Sequence, residues 1–353
     1  MVKTNKKRDI RELDVKDLQQ WVDERGFPAY RARQVHKWLW QRAARTIEEM
    51  SDLPKDLRHL LASCFQFRLA RVDNSLHSGD QTLKYVFRLH DNQQVEGVLI
   101  PAEDRITACI SSQVGCGLGC RFCATGGMGF SRNLSGAEIF DQVAILRNEA
   151  ETKFERSLTN IVLMGMGEPL QNYGNVMFAL ERICSKDGLG ISPRRITIST
   201  AGIVKKIRKM GDDGAPYRLA VSLHSARQDK RNELMPVGEK NSMESLIEAI
   251  RYYQKKTDKK ITFEYVMLGA VNDAEADALR LVAVCRQVHC KVNLIDYNPV
   301  RGLEFRKARE AAVHQFVQTL EKNRIQVTRR SSRGADIGAA CGQLTLKQKK
   351  TAT

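Results

Sequence analysis

The chain has 353 residues, 42% of them hydrophobic and 28% charged, which is the composition of a globular protein of about two domains and not of a disordered chain. Its 57 Lys+Arg against 41 Asp+Glu give a formal net charge of +16, which suits either a solvated basic surface or a polyanionic partner. No apolar run reaches the roughly 18 residues of a membrane span, and the polar Met1 to Ile10 has no apolar stretch behind it, so a cytosolic address is expected.

Read in chain order, the first 70 residues are helical. Asp14 can cap a helix running to Arg25, with Leu18, Trp21 and Val22 on one face and Gly26 as its stop. Arg31 to Arg45 is a second candidate, with Val35, Trp38 and Leu39 at helical spacing among five basic residues. Pro54 opens a third, carrying Leu57, Leu60 and Leu61. Residues 1–75 are therefore expected to form a helical accessory domain with a basic face. At their helical spacing, Trp21, Trp38 and Trp40 are expected to pack in its core and not to stack on bases.

Leu83, Tyr85, Phe87 and Leu89 then alternate with more polar positions, Asp91-Asn92 supplies a turn, and Val95 to Ile100 returns. This predicts a hairpin, placing a linker at 76–100. From 101 to 345, strands alternate with helices. The candidate strands are Ile106–Ser111, Asn160–Gly165, Arg195–Thr200, Tyr217–Leu223, Thr262–Leu268 and Val292–Tyr297. Helical patterns at 136–149, 174–184, 202–210, 243–256 and 274–288 separate them. Such alternation implies parallel βαβ units. Six strands fall short of the closed eight-stranded form, so an open, partial (β/α)6 barrel in the α/β class is expected. A helix near 308–323, a strand near 325–330 and a basic tail at 346–353 complete the chain. Half of the net positive charge falls in residues 301–353, which hold 12 basic and 4 acidic side chains.

Nine cysteines are present. In a long chain without a secretory signal, closely spaced cysteines read as metal or redox chemistry. Cys116, Cys120 and Cys123, in C-x3-C-x2-C spacing, follow the first barrel strand, where functional loops of such folds lie. Zinc would want a fourth Cys or His nearby, and none follows until Cys184 and His224. Three ligands suit a [4Fe–4S] cube with one iron open, with zinc or free thiols as alternatives. Gly115, Gly117 and Gly119 free the backbone for the sulfurs to converge. Cys64, Cys184, Cys285 and Cys290 read as small core residues.

This triplet on a partial barrel resembles the radical S-adenosylmethionine (SAM) superfamily. Its open iron chelates the amino and carboxylate groups of SAM, and its reduced cluster cleaves SAM to a 5′-deoxyadenosyl radical. Gly165-Met-Gly167-Glu168-Pro169, after the second strand, is similar to the segment that meets the methionyl amine. Further stretches narrow the resemblance: Cys109-Ile-Ser-Ser-Gln-Val-Gly-Cys116, Met164 to Leu170, Ser192 to Thr200, Ser222-Leu-His-Ser and Ala340-Cys341-Gly-Gln-Leu344. Over residues 10 to 345 the chain resembles the RlmN/Cfr group of RNA adenosine C2/C8 methyltransferases, and its helical N-terminus resembles that group's accessory domain.

The resemblance implies a mechanism using two cysteines and two SAM molecules. Cys341 would take a methyl group from one SAM by displacement. The radical made from the second would abstract a hydrogen from that methyl, and the resulting carbon radical would add to an amidine carbon of adenine. Adenine C2 is electrophilic, so it cannot attack an electrophilic methyl directly. Glu96 would remove the C2 proton from the protein–RNA adduct. Cys109 would attack the sulfur of Cys341, form a transient disulfide and release methylated RNA. The SAM contacts carry over as Gly167, Glu168, Ser199, Ser222, Leu223, His224 and Asn298. By pattern alone, Glu96 is a strand glutamate facing solvent and His224 a structural histidine. The Glu168-Pro169 pair resembles RlmN, which favours C2 of an adenosine in 23S rRNA and of the adenosine beside the anticodon in tRNAs. A cytoplasmic monomer served by a donor such as flavodoxin or ferredoxin, with no membrane partner, is implied. Two readings compete: C8 methylation of the Cfr type, and a non-catalytic RNA-binding protein with a structural cluster. The joint presence of Cys109, Cys341 and the SAM-binding stretches opposes the second.

Overall fold

In the computed structural model, which describes residues 7–346, two short parallel strands bracket the N-terminal helices: β1 (Arg8–Asp9) and β2 (Phe65–Gln66). All but the first residue of the expected tail lies outside the described residues. Between those strands run α1 (Val15–Asp23), α2 (Tyr30–Trp40) and α3 (Lys55–Cys64). A capping box starts α1: Asp14 accepts from the amides of Lys16 and Asp17, and Asp17 accepts from the Asp14 amide. The second helix ends at Trp40, short of the expected Arg45, and Ala43 takes left-handed backbone just beyond it.

The helical unit does not stand apart from the rest. Leu18, Val22, Val35, Leu39, Leu57 and Leu61 belong to one core continuous with the barrel. Trp40 is fully buried and packs edge-on against Phe140 and Phe178, at 4.9 and 5.6 Å between ring centres. Trp21 and Trp38 are half-buried against the same core. Arg11, itself buried, ion-pairs with Asp9 at 2.9 Å and with Asp141 of the barrel at 2.6 Å.

Next comes an antiparallel meander of β3 (Arg71–His77), β4 (Leu83–Arg88) and β5 (Gln94–Pro101). The β4–β5 pair is the expected hairpin. The third strand, β3, escaped sequence reasoning because Arg71, Asp73 and Asn74 break any apolar alternation. Where a linker was expected, the meander instead extends the main sheet: β5 pairs antiparallel with β6 (Ile106–Cys109), the first barrel strand. A small pair, β7 (Gln113–Cys116) and β8 (Gly129–Asn133), brackets the cysteine loop.

The barrel continues with α4 (Gly136–Phe154), β9 (Asn160–Leu163), α5 (Tyr173–Cys184), β10 (Ile196–Thr200), α6 (Val204–Asp212) and β11 (Arg218–Ser222). Two short helices, α7 (Gln228–Leu234) and α8 (Val237–Lys240), precede α9 (Met243–Thr257). Then follow β12 (Ile261–Met267), α10 (Glu275–Cys285), β13 (Cys290–Asp296), α11 (Glu310–Lys322) and β14 (Val327–Arg330). The sheet order is β14-β13-β12-β11-β10-β9-β6-β5-β4-β3, and every neighbour from β6 to β14 is parallel. Six βα units ending on one more parallel strand form the expected (β/α)6 partial barrel, open between β14 and β3.

The chain after β14 crosses that opening. The Gly334 amide donates to Asp80 Oδ2 at 3.0 Å and Ser78 Oγ to Asp336 Oδ1 at 2.6 Å. Lys84 Nζ donates to the Gly338 carbonyl at 3.1 Å, and the Thr345 amide to Glu96 Oε2 at 3.0 Å. The segment holding Cys341 is thus strapped to the meander.

Candidate active site

The cysteine loop is shaped by its glycines and by the strap. Gly115 has φ +73°, and a Cβ there would lie 2.0 Å from the Gly129 carbonyl oxygen, so only glycine permits the β7–β8 crossing. The Ala124 amide donates to the Gly342 carbonyl at 2.8 Å, and Thr125 Oγ1 donates to the Leu344 carbonyl at 2.6 Å. These two bonds set the loop beside Cys341.

Cys116, Cys120 and Cys123 line one open cavity at the C-terminal ends of the barrel strands, where barrel chemistry is placed. Gly167, Glu168, Ser199, Ser222, His224, Glu264, Tyr297 and Cys341 line it too. Burial pushes the Cys116 thiol up to about 11 and raises Cys120 further, and the neighbouring Cys123 adds to both rises. Among the described residues, no three His, Cys, Asp or Glu side chains converge as ligands of a single ion. An iron–sulfur cube takes each thiolate on a different iron and so holds its sulfurs further apart, and three thiols around one cavity fit that donor set.

The glycines of the Gly165–Pro169 segment are forced by close approach. Gly167 has φ +96°, and a Cβ would fall 2.5 Å from the Gln113 side chain. That approach lets Gln113 Oε1 accept the Glu168 amide at 2.8 Å. The Glu168 carboxylate accepts from the amides of Leu170, at 3.0 Å, and Ala201, at 2.7 Å. Burial nonetheless pushes it up to about 7. A buried carboxylate on a cavity wall suits an ammonium group such as the methionyl amine of SAM. His224 has left-handed backbone, and its Nδ1 accepts from the Val266 amide at 3.0 Å. Burial, together with the nearby Arg231, lowers it to about 3, so the ring is neutral with its other nitrogen carrying the proton. Leu223, by contrast, is fully buried and lines no cavity; its amide donates to Glu264 and its carbonyl accepts from Arg231.

A second, smaller cavity adjoins the first, lined by Cys109, Asn298, Arg330, Ser331, Ser332 and Cys341 among others. Cys341 lines both. Asn298 Nδ2 donates to the Cys341 carbonyl at 3.3 Å and so holds the residue in place without lining the first cavity. Burial pushes Cys109 up to about 12, with Cys341 adding to the rise and Arg330 opposing it. Cys341 is exposed as a residue, yet burial is the main cause raising its thiol, again opposed by Arg330. Solvent reaches it through the cavity mouth while protein on the other sides makes the thiolate costly.

Glu96 is completely buried, which corrects the solvent-facing expectation. Its Oε1 lies 2.7 Å from Lys84 Nζ without an aligned hydrogen bond, so that contact is an ion pair, and Oε2 accepts from the Thr345 amide. It lines neither cavity. Three residues were missed by sequence reasoning. Arg231, fully buried, donates to the carbonyls of Ser222, Leu223 and Ala201 at the strand ends. Glu264 has one oxygen held by Asn293 at 3.0 Å while the other has no partner. Arg330 ends β14 beside Cys109 and Cys341. The available signal was a carboxylate inside Thr262 to Met267, where a parallel strand should be apolar.

Comparison with known proteins gives a consistent result. The radical SAM superfamily profile matches residues 110–282, and the ribosomal RNA large subunit methyltransferase N-terminal domain profile matches residues 8–66. A protein of Christiangramia forsetii, "Probable dual-specificity RNA methyltransferase RlmN", is 48% identical over 97% of each chain. "Dual-specificity RNA methyltransferase RlmN" of Desulfosudis oleivorans is 44% identical over 97% of this chain and 92% of its own. The crystal structure of a radical SAM methyltransferase from Sphaerobacter thermophilus superposes with a TM-score of 0.90 at 39% identity, covering 96% of this chain and 99% of that one.

Proposed function

Because this chain belongs to the RlmN family of radical SAM methyltransferases, we propose that it methylates C2 of an adenosine in 23S rRNA and of the adenosine beside the anticodon in tRNAs. The observation that carries this reading is the position of Cys341 on the shared wall of two cavities, one with the three-cysteine loop and one with Cys109. Cys116, Cys120 and Cys123 would hold the cluster as thiolates. When bound, the [4Fe–4S] cluster and SAM, two per turnover, supply an activated methyl group and a 5′-deoxyadenosyl radical.

The residues of the chain do the rest. Glu168 receives the methionyl ammonium. Gly167, Ser199, Ser222 and His224 shape the wall around it, Leu223 spaces the last two, and Asn298 fixes Cys341. Cys341 carries the transferred carbon on its sulfur to adenine C2, and Glu96 takes the C2 proton. In the resting chain Glu96 is held by Lys84 and the Thr345 amide, so proton transfer requires the strap to loosen there. Cys109 then attacks the Cys341 sulfur: an S–S bond forms, the C–S bond breaks, and its electron pair stays with the carbon on adenine, which takes up a proton from solvent to become the methyl group. Arg330 beside both sulfurs favours their thiolates.

The helical unit, with Arg25 over Trp21 and Arg42 over Trp38, lends cationic surface for phosphate contacts. No helix among the described residues is long and apolar enough to cross a membrane. A cytoplasmic monomer is proposed from the family likeness. Flavodoxin or ferredoxin is the proposed electron donor.

The test is anaerobic reconstitution with SAM and unmodified 23S rRNA or tRNA, reading 2-methyladenosine by mass spectrometry. Cys341→Ala should retain iron and sulfide and lose methyl transfer. Cys109→Ala should accumulate a covalent protein–RNA species on denaturing gels. Methylated RNA from Cys341→Ala, or 8-methyladenosine from the intact chain, would refute the assignment.

A further inference from the structure

We propose that Cys285 and Cys290 form a second dithiol site, remote from the active site, that closes to a disulfide by exchange with a small-molecule disulfide such as glutathione disulfide. The inference does not depend on the methyltransferase chemistry.

Cys285 is the last residue of α10 and Cys290 the first of β13. Cys290 Sγ donates to the Cys285 carbonyl oxygen at 3.7 Å, and the two thiols are near enough to shift each other's ionisation in opposite directions. The four-residue turn between them is fixed from outside. Gln254 Nε2 donates to the His289 carbonyl at 2.6 Å, and Gln254 Oε1 accepts the His289 amide at 3.1 Å. A held turn brings the sulfurs together without the entropy of closing a free loop.

The two thiols are unequal. Cys285 is buried, whereas Cys290 is half-buried and open to attack. Cys285 and the Lys260 ammonium both lower the Cys290 thiol, while Cys285 itself rises. Cys290 is therefore the attacking sulfur and Cys285 the resolving one. In the first step, the Cys290 thiolate displaces glutathione thiolate and leaves glutathione on Cys290. In the second, Cys285 loses its proton to solvent and attacks the Cys290 sulfur, expelling the second glutathione thiolate. One disulfide is consumed, two glutathiones are released and two protein thiols are oxidised.

The site lies at the N-terminal end of β13, whereas Asn298 follows its C-terminal end. The seven residues of that strand span about 20 Å, too far for exchange with Cys341.

Arg286 lies between the two cysteines and Lys291 follows them, which makes the linkage visible. The cluster-loaded full chain is incubated anaerobically over a range of glutathione disulfide to glutathione ratios, alkylated, and digested with trypsin without reduction. The expected result is that peptides Leu281–Arg286 and Gln287–Lys291 are joined, lighter by about 2 Da than the sum of the free thiols, and separated by a thiol reductant. The joined pair should persist in the Cys109→Ala/Cys341→Ala chain and vanish in Cys290→Ser and in Cys285→Ser, the latter collecting glutathione on Cys290. Full alkylation of both cysteines at every ratio would overturn the proposal. So would a joined pair forming no faster in the folded chain than in urea.

Discussion

Glu168 accepts two backbone amides and still rises from 4.5 to about 7, because burial outweighs both bonds. Its folded value lies above its unfolded one, so the sign is the reverse of a salt-bridged carboxylate. Below the unfolded value both states hold the proton and nothing is lost. As pH climbs toward about 7 the unfolded chain ionises first, so stability falls, and above that the full penalty applies. The rise corresponds to ~3 kcal/mol. In the cluster-free protein, Glu168→Gln should therefore raise stability by up to ~3 kcal/mol at about pH 8 and by little at about pH 4, as read from denaturant midpoints. The same variant should lose SAM affinity by calorimetry. At this scale the gathering of Cys116, Cys120 and Cys123 around one cavity was legible because their close spacing along the chain already keeps the three thiols together. Glu264, Arg231 and Arg330 were not, because each acquires meaning only from what the barrel places beside it.

At the scale of elements, the joint between the helical unit and the barrel is ionic as well as apolar. The side chain of Arg11 is 2% exposed, and Asp141 on α4 is 6% exposed. The Asp141 carboxylate also accepts the Ala70 amide at 2.9 Å, so one residue fastens β1, α4 and the start of the meander. Arg11→Ala leaves that carboxylate uncompensated and should cost ~3–5 kcal/mol by chemical denaturation. Replacing Arg11 and Asp141 together by Met and Leu should recover much of the loss. A loss below about 1 kcal/mol would mean that water reaches Asp141 freely. The barrel helices and strands were readable because their periods are long and repeated. The β7–β8 pair was not, since Gly115 and Gly129 carry no alternating pattern, and β3 was hidden by its exposed charges. The mistaken linker has a physical cause too: a hairpin pattern fixes the pairing of β4 with β5 but not what either outer edge meets.

For the whole molecule, the net charge of +16 sets the reach of its field more than its fold. RNA affinity should fall linearly with salt on logarithmic axes. Changing Lys347, Lys349 and Lys350 to Gln should reduce that slope by about 2 to 3 where all three meet phosphate, measured by filter binding. An unchanged slope would place the tail off the RNA. Strand order matches chain order throughout the large sheet, so each strand pairs with the one made just before it. The strap is the exception, returning 249 residues from Thr345 to Glu96. Chains emerge N-terminus first, and the partners of the barrel strands are already present as each appears. Cys341 comes last, on the segment that bridges the opening. During translation the strands of the large sheet can pair while the segment holding Cys341 is still being made. The bonds from the cysteine loop to the Gly342 and Leu344 carbonyls are thus the last to form, so the loop takes its final setting only after the large sheet has paired.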